Sequence, residues 1–173
     1  MPKQNTQPPP LEDIANYHKD VEKSLRLYFS SSNPDYSARF ATYLLTEVAD
    51  ELKNRINETD IRSSLTVMAL IEAAFYLDYN ERCKKKGADN LSVEFRKIFR
   101  KRSGKARLDK DILEGWRKYI DPSMGKYISQ LRGMFKYRHW IAHGRYWQPD
   151  NKFDFQSIYL LAVTVLTNFP LMG

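Results

Sequence analysis

The chain has 173 residues, 42% of them apolar, and carries 28 lysines and arginines against 21 aspartates and glutamates, a formal net charge of +7. That length and apolar content suit one domain with one sizeable core, and the single cysteine, Cys83, excludes an intramolecular disulfide and fits a reducing compartment. The opening MPKQNTQPPP lacks the apolar centre of a signal peptide, and the longest mainly apolar run, Ile158 to Leu166, is far too short to span a bilayer. A cytoplasmic protein with no membrane segment is expected, with a disordered leader over 1–10 and a single helical domain over 11–173.

The first helix follows the leader, with Ile14, Tyr17, His18, Val21, Leu25 and Tyr28 on one face. Ser30 to Asn33 break it. Pro34 can open a second helix, in which Phe40, Leu44, Val48, Leu52 and Ile56 form a four-residue stripe, and Asn57 to Asp60 read as the next turn. A third helix, about Ile61 to Lys84, is apolar nearly all round from Val67 to Leu77 and so belongs at the centre of a bundle. There is neither strand alternation nor an internal repeat. The fold class is all-α, an antiparallel bundle of four or five core helices.

Glu72 interrupts the apolar run Ala69-Leu70-Ile71-Glu72-Ala73-Ala74-Phe75 and requires a partner, because an unpaired buried carboxylate is costly. It either orients Arg138 or a histidine, or forms an ordinary ion pair with another arginine such as Arg39 or Arg132.

Basicity is local. Residues 82–107 contain eleven lysines and arginines against two acids, and the remainder has seventeen against nineteen. Leu91, Phe95, Ile98 and Phe99 give this stretch a short apolar face, so it reads as a basic helical insertion packed on the bundle and flanked by loops at Lys84 to Asn90 and Ser103 to Ala106. Lys84, Lys85, Lys86, Arg100, Lys101 and Arg102 would attract a phosphate backbone without reading sequence. The plainer alternative is a solvated charged hairpin.

The most specific stretch is Arg138-His139-Trp140-Ile141-Ala142-His143-Gly144. A planar permanent cation that grips phosphate and an imidazole that exchanges protons near neutrality are together suited to cleaving RNA. Asp121-Pro122 reads as N-cap and N1, and Ile128, Leu131, Phe135 and Ala142 continue at helical spacing, so one helix over about 123–143 delivers the pair. On a straight helix Arg138 and His143 lie roughly 140° apart. Gly144 marks the C-terminus, where the last turn can tighten or unwind to bring His143 round.

Arg-x4-His, with a polar residue after the arginine and small-His-Gly at the end, resembles the signature of the HEPN superfamily. A last apolar helix, about Phe153 to Phe169, follows as in that family. The resemblance implies an all-helical bundle, ribonuclease activity, a homodimer and often a toxin or phage-defence role with an antitoxin or other regulatory partner. Some HEPN toxins carry, two residues after the motif histidine, a tyrosine that a partner nucleotidyltransferase modifies. Here Arg145 holds that place and Tyr146 is one late.

His143 is then the general base that takes the proton of a 2′-hydroxyl, and Arg138 steadies the anionic phosphorane. His139 either meets the leaving side or supports the motif, and a second copy of His143 across a two-fold interface would supply the proton the leaving oxygen needs. Arg145, Tyr146 and Trp147 suit stacking of an unpaired base and equally suit packing of the turn. His139 and His143, at i and i+4, have the spacing of two metal ligands but no evident further ligand, so neither a metal nor a cofactor is expected. His18 is read as a core or interface histidine. Two function classes remain: a metal-independent endoribonuclease, and a catalytically silent HEPN module that binds RNA or a protein partner.

Overall fold

The computed structural model of the chain describes residues 9–145 and 153–172. The fold is all-α, and every regular element among the described residues is a helix: α1 (Leu11–Tyr28), α2 (Tyr36–Phe40), α3 (Leu45–Lys85), α4 (Asn90–Arg102), α5 (Glu114–Tyr119), α6 (Gly125–Ala142) and α7 (Phe155–Asn168). A π-helical segment, Leu108–Leu113, leads into α5, and a 3-10 turn, Pro122–Met124, leads into α6. Neither was foreseen from the sequence. No described helix is long and apolar enough to cross a membrane. Residue contacts gather into two compact units, one ending at Val67 and one starting at Met68, with α3 contributing to both.

In the first unit, Phe29, Phe40 and Val48 are buried together, and Leu25, Tyr36 and Leu52 pack against them. The rings of Phe29 and Phe40 lie 5.2 Å apart. The expected stripe through Leu44 is corrected here. α2 ends at Phe40, and Leu44 is 68% exposed as the residue before α3. Its N–H donates to Glu47 Oε2 at 2.8 Å, the reach-back half of a capping box, so the local polar bond outcompetes apolar periodicity. Tyr17 also leaves its expected apolar face and is 68% exposed.

The turn expected at Asn57 to Asp60 is likewise absent, because α3 runs through it. Polar residues do not end a helix when their side chains bond along it. Thr59 Oγ1 donates to the Arg55 carbonyl, and Glu58 pairs with Arg62 one turn on. His18 packs as a bridging histidine: Nδ1 lies 3.2 Å from Ser63 Oγ and Nε2 3.4 Å from Asp60 Oδ1.

The second unit is built on Met68, Ile71, Phe75 and Tyr79 of α3, all fully or nearly fully buried. Leu77, expected within the all-round apolar run, is half exposed, so this stretch of α3 keeps a solvent-facing side. Phe75 meets Trp116 and Phe169 edge-on, each at 6.1 Å, and Tyr79 meets Phe95 at 5.1 Å. Gly115 allows α5 to lie against α4, since a Cβ there would stand 2.6 Å from Phe95 Cε1. Asp89 caps α4 and Asp154 caps α7, each accepting the backbone N–H three residues on.

Candidate functional site

α6 delivers the Arg138 to His143 segment, and its start is local chemistry. Asp121 accepts the Ser123 N–H at 2.8 Å, Pro122 begins the 3-10 turn, and the α-helix proper begins at Gly125. Its buried face is Ile128, Leu131, Met134, Tyr137 and Ile141. Ala142, expected on that face, is exposed. Packing of Tyr137 and Ile141 therefore turns Arg138, His139 and His143 away from the core.

The C-terminus is a Schellman motif. The Gly144 N–H bonds to the Ile141 carbonyl and the Arg145 N–H to the Trp140 carbonyl, with Gly144 at φ 86°. His143 sits just before this reversal, and its N–H still donates to the His139 carbonyl at 3.1 Å. The expected unwinding that would swing His143 toward Arg138 does not occur. On an ideal helix the two residues lie roughly 140° apart around the axis, and the helical bond of the His143 N–H keeps His143 at the end of that path.

Two pairs result. Arg138 Nη1 meets Glu72 Oε2 at 2.7 Å, with the side chains 41% and 25% exposed. Glu72 is thus a partly exposed carboxylate at the border of the core, not the buried one its apolar neighbours suggest. Its partner is Arg138 and neither Arg39 nor Arg132, which pair with Glu51 and with Asp109 and Glu114 respectively. A guanidinium has five N–H donors in a fixed fork, so one contact to Glu72 orients it and leaves donors for a phosphate. The second pair is His139 and His143, both exposed, whose rings meet at a tilt of 53° with centroids 4.1 Å apart. Among the described residues no group of three or more His, Cys, Asp or Glu side chains is placed to hold a metal ion.

Arg145 follows the helix at φ 59°, a left-handed conformation rare for a long side chain. Tyr146 and Trp147 lie outside the described residues.

The basic stretch forms the last turn of α3, the bend after it and all of α4. Leu91 and Phe95 are buried, but Phe99, expected on the same apolar face, is 45% exposed. Lys84 and Lys85 pair with Glu81 at 3.1 and 3.8 Å, and Arg102 with Asp111 at 3.3 Å. Lys86 follows the end of α3 at φ 52°. Arg100 and Lys101 occupy the exposed last turn of α4.

One charged cluster escaped the sequence reading. Asp78, fully buried, accepts from Arg82 Nε at 2.7 Å, Trp116 Nε1 at 3.1 Å and the Met172 N–H at 2.9 Å. Arg82 donates in turn to the Pro170 carbonyl at 2.7 Å and lies over the Trp116 ring. Burial pushes the Asp78 carboxyl above the usual carboxylate range, against the pull of these donors. The cluster ties the C-terminal segment to α3 and is enclosed, so its role is structural. The i, i+4 spacing of Asp78 and Arg82 was the available signal.

No family model matches the chain, and neither a curated protein nor a solved structure matches it.

Proposed function

We propose that the chain is a metal-independent endoribonuclease of the HEPN type, acting in the cytoplasm as a toxin or phage-defence effector, with Arg138 and His143 as its catalytic residues. The observation that carries the reading is an oriented, partly exposed guanidinium, Arg138 on Glu72, near the end of a helix whose terminus presents two solvent-exposed imidazoles.

In this mechanism His143 removes the proton from an RNA 2′-hydroxyl, and the 2′-oxygen bonds to phosphorus as the bond to the 5′-oxygen breaks. Arg138 holds the negative charge that builds on the non-bridging oxygens. The leaving 5′-oxygen takes a proton, so the products are a 2′,3′-cyclic phosphate and a 5′-hydroxyl. His139 is poorly placed to give that proton. Two rings in contact lie on the same side of any phosphate they reach, whereas in-line displacement needs base and acid at opposite ends. A second copy of the chain, in a homodimer, supplies the acid.

A silent RNA-binding or protein-binding module is the second reading. The observation favouring it is that His143 stays on a different side of α6 from Arg138. Purified protein incubated with structured and unstructured RNAs in EDTA separates the two. Cyclic-phosphate ends, absent with a folded His143→Ala variant, support the nuclease, and intact RNA across the panel supports the module.

A further inference from the structure

The last turns of α3 and the C-terminal half of α4 present the same pattern to a common space. Cys83 and Lys84 on α3, one turn on from Asn80, and Arg96, Phe99 and Arg100 on α4, at i, i+3 and i+4, line a cleft of about 430 Å³, with Lys86 from the bend between the helices. Its lining holds four cations and no carboxylate. Glu81, outside the lining, holds Lys84 at 3.1 Å, so Lys86, Arg96 and Arg100 are the cations available to a guest.

Two features of the cleft await a ligand. Arg96 lines the cleft with a guanidinium that no carboxylate among the described residues holds, and its buried Nη1 has no hydrogen-bond partner there, so its charge is uncommitted within the protein. Phe99 keeps 45% of its surface in water on a helix that buries Leu91 and Phe95. An aromatic face beside clustered cations matches a base and its phosphate. An acidic peptide would satisfy the cations and leave the ring unused. The volume is within the range of small-molecule sites, about 300–1,000 Å³, and suits one nucleotide and not a duplex.

We propose that this cleft binds one unpaired nucleotide of an RNA strand, its base stacked on Phe99 and its phosphate held by Arg96, Arg100 and Lys86. The choice of an RNA strand over a free nucleotide rests on the ribonuclease reading above. No residue of α6 lines the cleft, so the site holds substrate away from the cutting residues. Stacking on a ring tolerates any base, so the grip is to single strands without sequence preference.

The test is fluorescence anisotropy with a short labelled oligouridylate in EDTA, across a salt series, comparing the chain carrying His143→Ala, so that the probe is not cut, with the same chain carrying in addition Phe99→Ala, Phe99→Trp or Arg100→Ala. Phe99 and Arg100 are exposed, and circular dichroism checks the fold. Phe99→Ala is expected to weaken binding about five- to a hundredfold, as loss of one stacked base does. Phe99→Trp is expected to retain affinity, and Arg100→Ala to reduce the salt slope by about 0.7. Bound oligonucleotide should also slow maleimide labelling of Cys83, the chain's single cysteine. Unchanged affinity and slope in both alanine variants would overturn the proposal, as would uridine monophosphate binding as tightly as the oligonucleotide. Binding that depends on Phe99 while the parent chain cuts no RNA would leave the cleft standing and remove the nuclease. Cleavage by the parent with Phe99-independent binding would do the reverse.

Discussion

Arg138 Nη1 lies 2.7 Å from Glu72 Oε2, joining the C-terminal part of α6 to α3. Both side chains keep contact with water, so the pair contributes little to stability, about 0–1 kcal/mol, and its larger effect is to fix where the guanidinium points. Glu72→Gln should therefore leave the melting temperature nearly unchanged and lower kcat by about tenfold or more, since small misplacements of a charge-stabilising group are costly. KM should move far less than kcat, a split that a purely structural role for Glu72 would not produce.

In the proposed mechanism a second copy of the chain gives the proton on the far side of the phosphate, since His139 and His143 of one chain touch each other. Specific activity should fall on dilution through the dimer dissociation range, with sedimentation velocity showing dimer lost over the same concentrations. Constant specific activity for a protein that sediments as a monomer would remove the second copy from the mechanism.

The Asp78 and Arg82 side chains are 0% and 6% exposed. Arg82→Ala strands a buried carboxylate, a loss of roughly 3–5 kcal/mol. For a chain of this size that lowers the melting temperature by roughly 6–20 °C, read by circular dichroism. Replacing both residues together should cost less than the sum of the single losses, since the two share one network.

Acid should unfold the second unit through carboxylates held in their charged form. Burial opposes the charge on Asp111, but the Arg107 N–H and the Arg107 and Arg102 guanidiniums outweigh it and hold the group below its usual range. Arg132 does the same for Glu114. A depressed folded pKa gives stability that is fully present above the unfolded value, about 4, and is lost as pH falls through the folded one. Urea midpoints should drop below about pH 4 as these groups protonate, a loss that Asp78 offsets in part because its raised carboxyl favours the folded state as pH falls. Asp111→Asn should shrink that drop while lowering stability at neutral pH.

The parts of the fold that were legible in the sequence are those set by local bonds. Asp121-Pro122 signals a helical start, though the turn it caps is 3-10 and α6 begins at Gly125, and Gly144 signals the reversal after α6, because capping needs only residues a few positions apart. The Asn57 to Asp60 segment was misread because polarity signals a loop only if side chains do not bond back along the helix, and Thr59 does. The stripe through Leu44 failed for a related reason: Glu47 secures its N–H and fixes the helix start beyond it. At the candidate site, residue types were legible and geometry was not. Glu72 showed the need for a partner, but only the placement of α3 against α6 selects Arg138. The continued helical bonding of His143 depends on the whole last turn. The cleft at Phe99 depends on a ring left in water, which apolar periodicity assigns to the interior.

End-group analysis of RNA incubated in EDTA with the parent, Arg138→Ala and His143→Ala, each verified as folded, tests the central proposal most directly. The proposal gives 2′,3′-cyclic phosphate ends with the parent, a loss of at least a hundredfold in rate with either variant, and no cutting of DNA of the same sequence. Cleavage by the His143→Ala variant at the parent's rate, or scission of DNA, would contradict it.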